Sequence, residues 1–225
     1  MKKNKKNNNN KLFIILYVVI SCILMAFIEL IVEPNYLIKS LIKILLFFGI
    51  PFIIIKILKI KLLDNFKVNK KELVKLLKLG VGVFLVGIIT YLVFRNFIDF
   101  TKLTRSLLVD QHITRGQFIL VALYISFGNS LLEEFIFRLV SFIKLKEYCN
   151  KRFAYIFSAF MFSIYHAAMI GMSFPFLLTI FCLICLFVLG ILFNYLDDKD
   201  NNIYNSWFVH MFCDFAIMVV AFLHL

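Results

Sequence analysis

What this sequence has little of narrows it first. Only 17% of its 225 residues are charged, while 62% are hydrophobic; an ordinary soluble domain is about half apolar. That excludes a soluble globular domain and a disordered chain. The alternation of apolar and polar residues that marks the strands of a membrane barrel is missing. Acidic residues are scarce, 13 Asp and Glu against 25 Lys and Arg. In a soluble protein that surplus would point to nucleic acid. Here the basic residues lie between apolar runs, where orientation in a membrane and contact with anionic lipid account for them, and no nucleic-acid partner is expected. The five Cys (22, 149, 182, 185, 213) are scattered, mostly within apolar runs, and the single CxxC, Cys182 and Cys185, has no second pair. They read as small core residues and not as a redox or metal site. The chain shows no internal repeat and no domain linker. No small-residue cleavage site follows its first apolar run, which reads as an uncleaved span.

What is present is a series of continuous apolar runs, each about 20 residues long and able to cross roughly 30 Å of hydrocarbon as a helix. They fall at 12–32, 40–58, 79–98, 117–142, 153–171, 174–195 and 204–224. The fold class is therefore all-α, a polytopic transmembrane bundle of about seven spans. Residues 1–11, MKKNKKNNNNK, read as a basic, disordered cytosolic tail. Residues 12–116 read as N-terminal transmembrane helices, with an amphipathic basic linker over 56–78 lying on the membrane surface. With the N-terminus inside, 18 of the 25 basic residues fall on the inner side and six on the outer, Lys39 and Lys43 among the six; Arg138 lies within a span. That bias places the N-terminus in the cytosol.

Ionisable residues inside a span are costly and normally face the bundle interior. Three spans carry them. In the fourth, Glu134 and Arg138 are four residues apart and can pair on one helix face. Glu133 points about 100° away and has no partner on its own helix unless Asn129 supplies a hydrogen bond, which suits a general base or acid. In the fifth, His166 closes the run Phe162-Ser163-Ile164-Tyr165. In the seventh, His210 and Asp214 are again four apart and form a candidate local pair. Glu133, His166 and His210 lie at similar depths, roughly 15–21 Å of helix from the last inner charge of their spans. A shared site explains that coincidence; pairs that merely pin the bundle need not share a depth.

The ordered set Glu133-Glu134-Phe135-Ile136-Phe137-Arg138, Phe162-Ser163-Ile164-Tyr165-His166 and His210-Met211-Phe212-Cys213-Asp214 resembles the CPBP family of intramembrane proteases. These are the CAAX proteases and bacteriocin-processing enzymes, also called the Abi family. Ser158, four residues before Phe162, suits the second motif. The resemblance covers roughly residues 117–220 and implies a catalytic bundle over 117–225. Leu139 stands where many members have Gly, and Asp214 where many have Asn.

The resemblance implies peptide-bond hydrolysis within the membrane. Glu133 would activate water with His166 as its partner, and His210 and Asp214 would stabilise the oxyanion. Asp214 can donate only when protonated; as a carboxylate it would instead orient His210. Glu134 and Arg138 would support these groups. Glu133, His166 and His210 also match a zinc-ligand set, and the family has been described both as metalloproteases and as metal-free glutamate proteases. No HExxH is present, and the metal-independent mechanism is the favoured reading, with Zn held by those three residues as the alternative. The expected substrate is a peptide precursor or small membrane protein, in the plasma membrane of a bacterium. A bacteriocin immunity or binding protein of the same fold is one alternative. A proton or cation transporter is another, though no inverted repeat or broken-helix pair supports it.

Overall fold

The computed structural model describes residues 2–57, 70–105 and 113–224. Among them there are helices and turns and no strands. Seven helices are long and apolar enough to cross a membrane: Asn7–Val32, Tyr36–Lys56, Glu72–Phe94, Arg115–Glu147, Lys151–Gly171, Phe176–Asp198 and Tyr204–Phe222. The protein is a multi-pass helical bundle, as its apolar runs require.

The first span is α1 (Lys2–Phe27), extended by a π-helical turn at Ile28–Val32. The helix begins inside the segment expected to be a disordered tail. Once a helix is nucleated, adding a residue to its end is far easier than starting one, so the span propagates through the polar stretch. The second span joins α2 (Tyr36–Ile44) to α3 (Ile50–Ile57) through π-helical Leu45–Gly49. Asn35 caps it, its Oδ1 accepting from the Ile38 amide at 3.0 Å. Most of the expected surface linker 56–78 lies outside the described residues; from Lys70 the chain is already in α4 (Lys70–Phe94), the third span. A short α5 (Phe100–Arg105) follows.

The fourth span is irregularly wound: α6 (Phe118–Leu123), a π-helical stretch Tyr124–Asn129, α7 (Ser130–Glu133) and a second π-helical stretch Glu134–Lys144. Every residue from Glu133 to Leu145 is buried, because spans one, two, five and six all pack on this segment. Neighbours on several sides enclose its charged residues, Glu133, Glu134 and Arg138, together with its apolar ones. The fifth span is α8 (Lys151–Tyr165), broken at His166 and continued by α9 (Ala167–Ser173). The sixth is α10 (Phe176–Asp198) and the seventh α11 (Tyr204–Phe222).

Small residues set the closest approaches, as in helix pairs that lack a hydrophobic drive to associate in lipid. A Cβ on Gly190 of α10 would sit 2.9 Å from Ala159 Cα of α8. On α4, Gly80 faces the Phe212 ring, and a Cβ on Gly87 would lie 2.8 Å from Ala216 Cβ of α11. The seventh span is thereby the most enclosed, with 50% of its apolar window buried, and the third, which covers it, the least, with 6%.

Candidate functional site

The fourth, fifth and seventh spans bring Glu133, His166 and His210 together in the interior. Glu133 is 2% exposed, and Glu134 and Arg138 are fully buried. Glu133 Oε2 lies 3.5 Å from His166 Nε2 and 3.8 Å from His210 Nε2. It is a buried oxygen with no hydrogen-bond partner, so the face of the carboxylate that meets the two imidazoles is free to act. Its other oxygen is held: Asn129 Nδ2 donates to Oε1 at 3.0 Å, the contact that the one-turn spacing allows.

Each imidazole is oriented by its other nitrogen. His166 stands at the break between α8 and α9, and its Nδ1 lies 2.8 Å from the Phe162 carbonyl oxygen. A carbonyl can only accept, so Nδ1 carries the hydrogen and Nε2, the atom facing Glu133, is left as a proton acceptor. His210 Nδ1 lies 2.7 Å from Glu134 Oε1, which sets the same tautomer. His210 Nε2 then donates only when the ring is doubly protonated. Asp214 Oδ1 is 3.8 Å from His210 Nε2, beyond hydrogen-bond length. The orienting contact to His210 therefore comes from Glu134 across two spans and not from Asp214 one turn away. Asp214 remains beside the site, with its Oδ2 buried and unpartnered.

Behind these groups lies a polar support. Arg138 Nε is 3.2 Å from Glu134 Oε2, as the i, i+4 spacing predicts. Its guanidinium carbon lies 4.4 Å from the Phe162 ring centre and 5.1 Å from that of Phe193. None of its three guanidinium nitrogens has a hydrogen-bond acceptor, so its contact with Glu134 is an ion pair without hydrogen-bond geometry. Ser206 Oγ is 2.5 Å from Glu134 Oε2 and 2.8 Å from Asp197 Oδ2, and the Ser206 amide donates to Asp197 Oδ1 at 2.9 Å. Ser158 Oγ donates to the Phe137 carbonyl and sits 3.0 Å from Asn194 Oδ1. Spans four to seven are thus tied together one layer behind the free Glu133 oxygen.

Three site residues escape the motif reading. Ser206 and Asp197 lie near the ends of their spans and look like ordinary interfacial residues in the sequence. The third is Lys43, counted with the outer charges by the positive-inside rule. It is instead 6% exposed, and its ammonium donates to Glu133 Oε1 at 2.6 Å and to Asn129 Oδ1 at 2.5 Å. The available signal is its position inside the apolar run 41–46, the same mark that singles out Arg138.

Zinc is the cofactor that the donor types raise, and Glu133, His166 and His210 are the residues proposed to hold it. Among the described residues, no group of three His, Cys, Asp or Glu is gathered so as to hold a metal ion.

The fold and this interior cluster define a multi-pass helical membrane protein that holds its charged and imidazole side chains away from lipid. Residues 115–216 match the family model for type II CAAX prenyl endopeptidases, Rce1-like. That match agrees with the resemblance read from the three motifs. The family so described is one of intramembrane endopeptidases. No curated protein and no solved structure matches the chain.

Proposed function

We propose that the protein hydrolyses a peptide bond of a peptide precursor or small membrane protein by a metal-independent, glutamate-type mechanism. The observation that carries this reading is the unpartnered Glu133 Oε2 facing the Nε2 atoms of His166 and His210. Hydrolysis needs a base for water, a donor for the oxyanion and a proton for the leaving amine. Glu133 Oε2 takes a proton from water positioned on this face. His166 Nε2, already an acceptor, shares that proton and passes it to the amine. His210 in its doubly protonated form donates to the oxyanion, with Asp214 beside it. Glu134 holds His210 in place, and Arg138 holds Glu134. Burial strengthens each of these interactions relative to water.

The catalytic unit is then the bundle of 117–225 set against the spans of 12–116. The charge bias supports an N-terminus on the cytosolic side of a bacterial plasma membrane.

The test is Glu133→Gln in purified protein reconstituted into vesicles with candidate peptides. Gln keeps the size and the Asn129 and Lys43 neighbours but cannot act as a base. Cleavage is expected to fall by about 10²–10⁴-fold while the peptide still binds. Cleavage at the wild-type rate would sink the assignment, and protection from a bacteriocin that survives Glu133→Gln, His166→Ala and His210→Ala would favour the immunity reading.

A further inference from the structure

The segment that matches the protease family starts at residue 115, yet one of the two oxygens of Glu133 is held from outside it. Lys43 belongs to α2, 90 residues before Glu133. Its ammonium has three hydrogens, and two go to Glu133 Oε1 at 2.6 Å and Asn129 Oδ1 at 2.5 Å. The same nitrogen lies 4.8 Å from the Tyr165 ring centre and 5.4 Å from that of Phe47. Tyr165 immediately precedes His166, and Phe47 is one helical turn beyond Lys43. The cation is therefore boxed by the elements that carry the site: the second span supplies it, the fourth accepts its hydrogen bonds, and the fifth lays a ring against it.

The two acidic residues of the motif are served in parallel. Glu134 has Arg138, one turn along its own helix. Glu133 is paired with Lys43 from another span. An interfacial role for Lys43 does not fit, since its side chain is 8% exposed and points inward. Asn129 alone would leave the carboxylate free to turn about its last bond, exchanging Oε1 with Oε2. Two donors on Oε1, one of them charged, remove that freedom, because charge-assisted hydrogen bonds are about twice as strong as neutral ones.

We propose that Lys43 is a positioning residue of the active site, which clamps Glu133 Oε1 so that Oε2 is presented to His166 and His210. The N-terminal half then contributes to the chemistry, and the family-matched segment is incomplete without the second span. This rests on Glu133 being the base.

The experiment measures kcat and KM on the full chain in vesicles for the wild type, Glu133→Gln, Lys43→Met, Lys43→Gln and Lys43→Arg. Lys75→Met, a change at an exposed lysine, serves as the control. Lys43→Met is expected to lower kcat by about 10²-fold, the loss that a displacement of about 1 Å can bring. KM should stay within about twofold, and Lys43→Arg should recover at least tenfold of the loss. A structural role alone would lower the amount of folded protein and leave kcat per folded molecule unchanged. Lys43→Gln is the second uncharged variant should the Met variant not fold. Wild-type kcat in either folded, uncharged variant overturns the proposal. So does failure of both to fold while Lys43→Arg is fully active, for Lys43 is then a structural residue. Full activity of Glu133→Gln would instead overturn the base assignment, a separate result from any in the Lys43 series.

Discussion

Replacing Arg138 with Met tests how the interior charges are held. Met keeps most of the apolar stem and removes the guanidinium. The wild-type side chain is fully buried, 3.2 Å from Glu134 Oε2 and stacked at 4.4 Å on Phe162. Removing one member of a buried ion pair costs about 3–5 kcal/mol, because the partner charge stays buried without its counterion. At about 3 kcal/mol the ratio of folded to unfolded protein drops roughly 150-fold. The assay is equilibrium unfolding in bicelles, run as a double-mutant cycle with Glu134→Gln. The amide introduced by Glu134→Gln can still meet His210 and Ser206 but needs no counterion, so Arg138→Met combined with Glu134→Gln should recover at least half of the loss. A cost below about 1 kcal/mol for Arg138→Met, or strict additivity in the cycle, would refute the view that Arg138 neutralises Glu134.

Two further predictions concern the support of the site. Gly87→Leu should push α4 off α11 at Ala216, where even a Cβ would lie 2.8 Å away; overpacking of this kind costs about 1–3 kcal/mol. Gly82→Leu, with nothing within 4 Å of a built Cβ, should stay within about 0.5 kcal/mol of wild type, and bicelle unfolding compares the two directly. Ser206→Ala removes the hydroxyl between Glu134 and Asp197, both fully buried. It should cost about 1–3 kcal/mol and lower kcat through the loosened Glu134–His210 contact, read in the vesicle cleavage assay.

The pairings differ in how far the sequence reveals them. Glu134–Arg138 and Asn129–Glu133 are local, and a helix of any packing places residues four apart on one face. His210–Asp214 has the same spacing, yet His210 Nε2 stays 3.8 Å from Asp214 Oδ1, while Glu134 on another span meets the other ring nitrogen, Nδ1, at 2.7 Å. Lys43 shows the opposite error. Charge counting treats a lysine near a span end as topology, but this one finds a carboxylate and an amide within reach and turns inward. The helical start of α1 was hidden for another reason: composition predicts disorder for an isolated Asn- and Lys-rich stretch, not for one attached to an existing helix.

By itself the sequence determined the class of this protein. Apolar runs of bilayer length leave the backbone no option in lipid but to form helices, and the expense of burying Glu, His and Arg marks where function resides. Only the tertiary structure decided which partner each buried group takes. Partner choice depends on the rotation and depth of helices that meet across tens of residues of chain, and no spacing rule within one helix contains that information. Hence the three motifs could be read from the residues alone, while the clamp on Glu133 from the second span and the hold of Glu134 on His210 emerged only from the packed bundle.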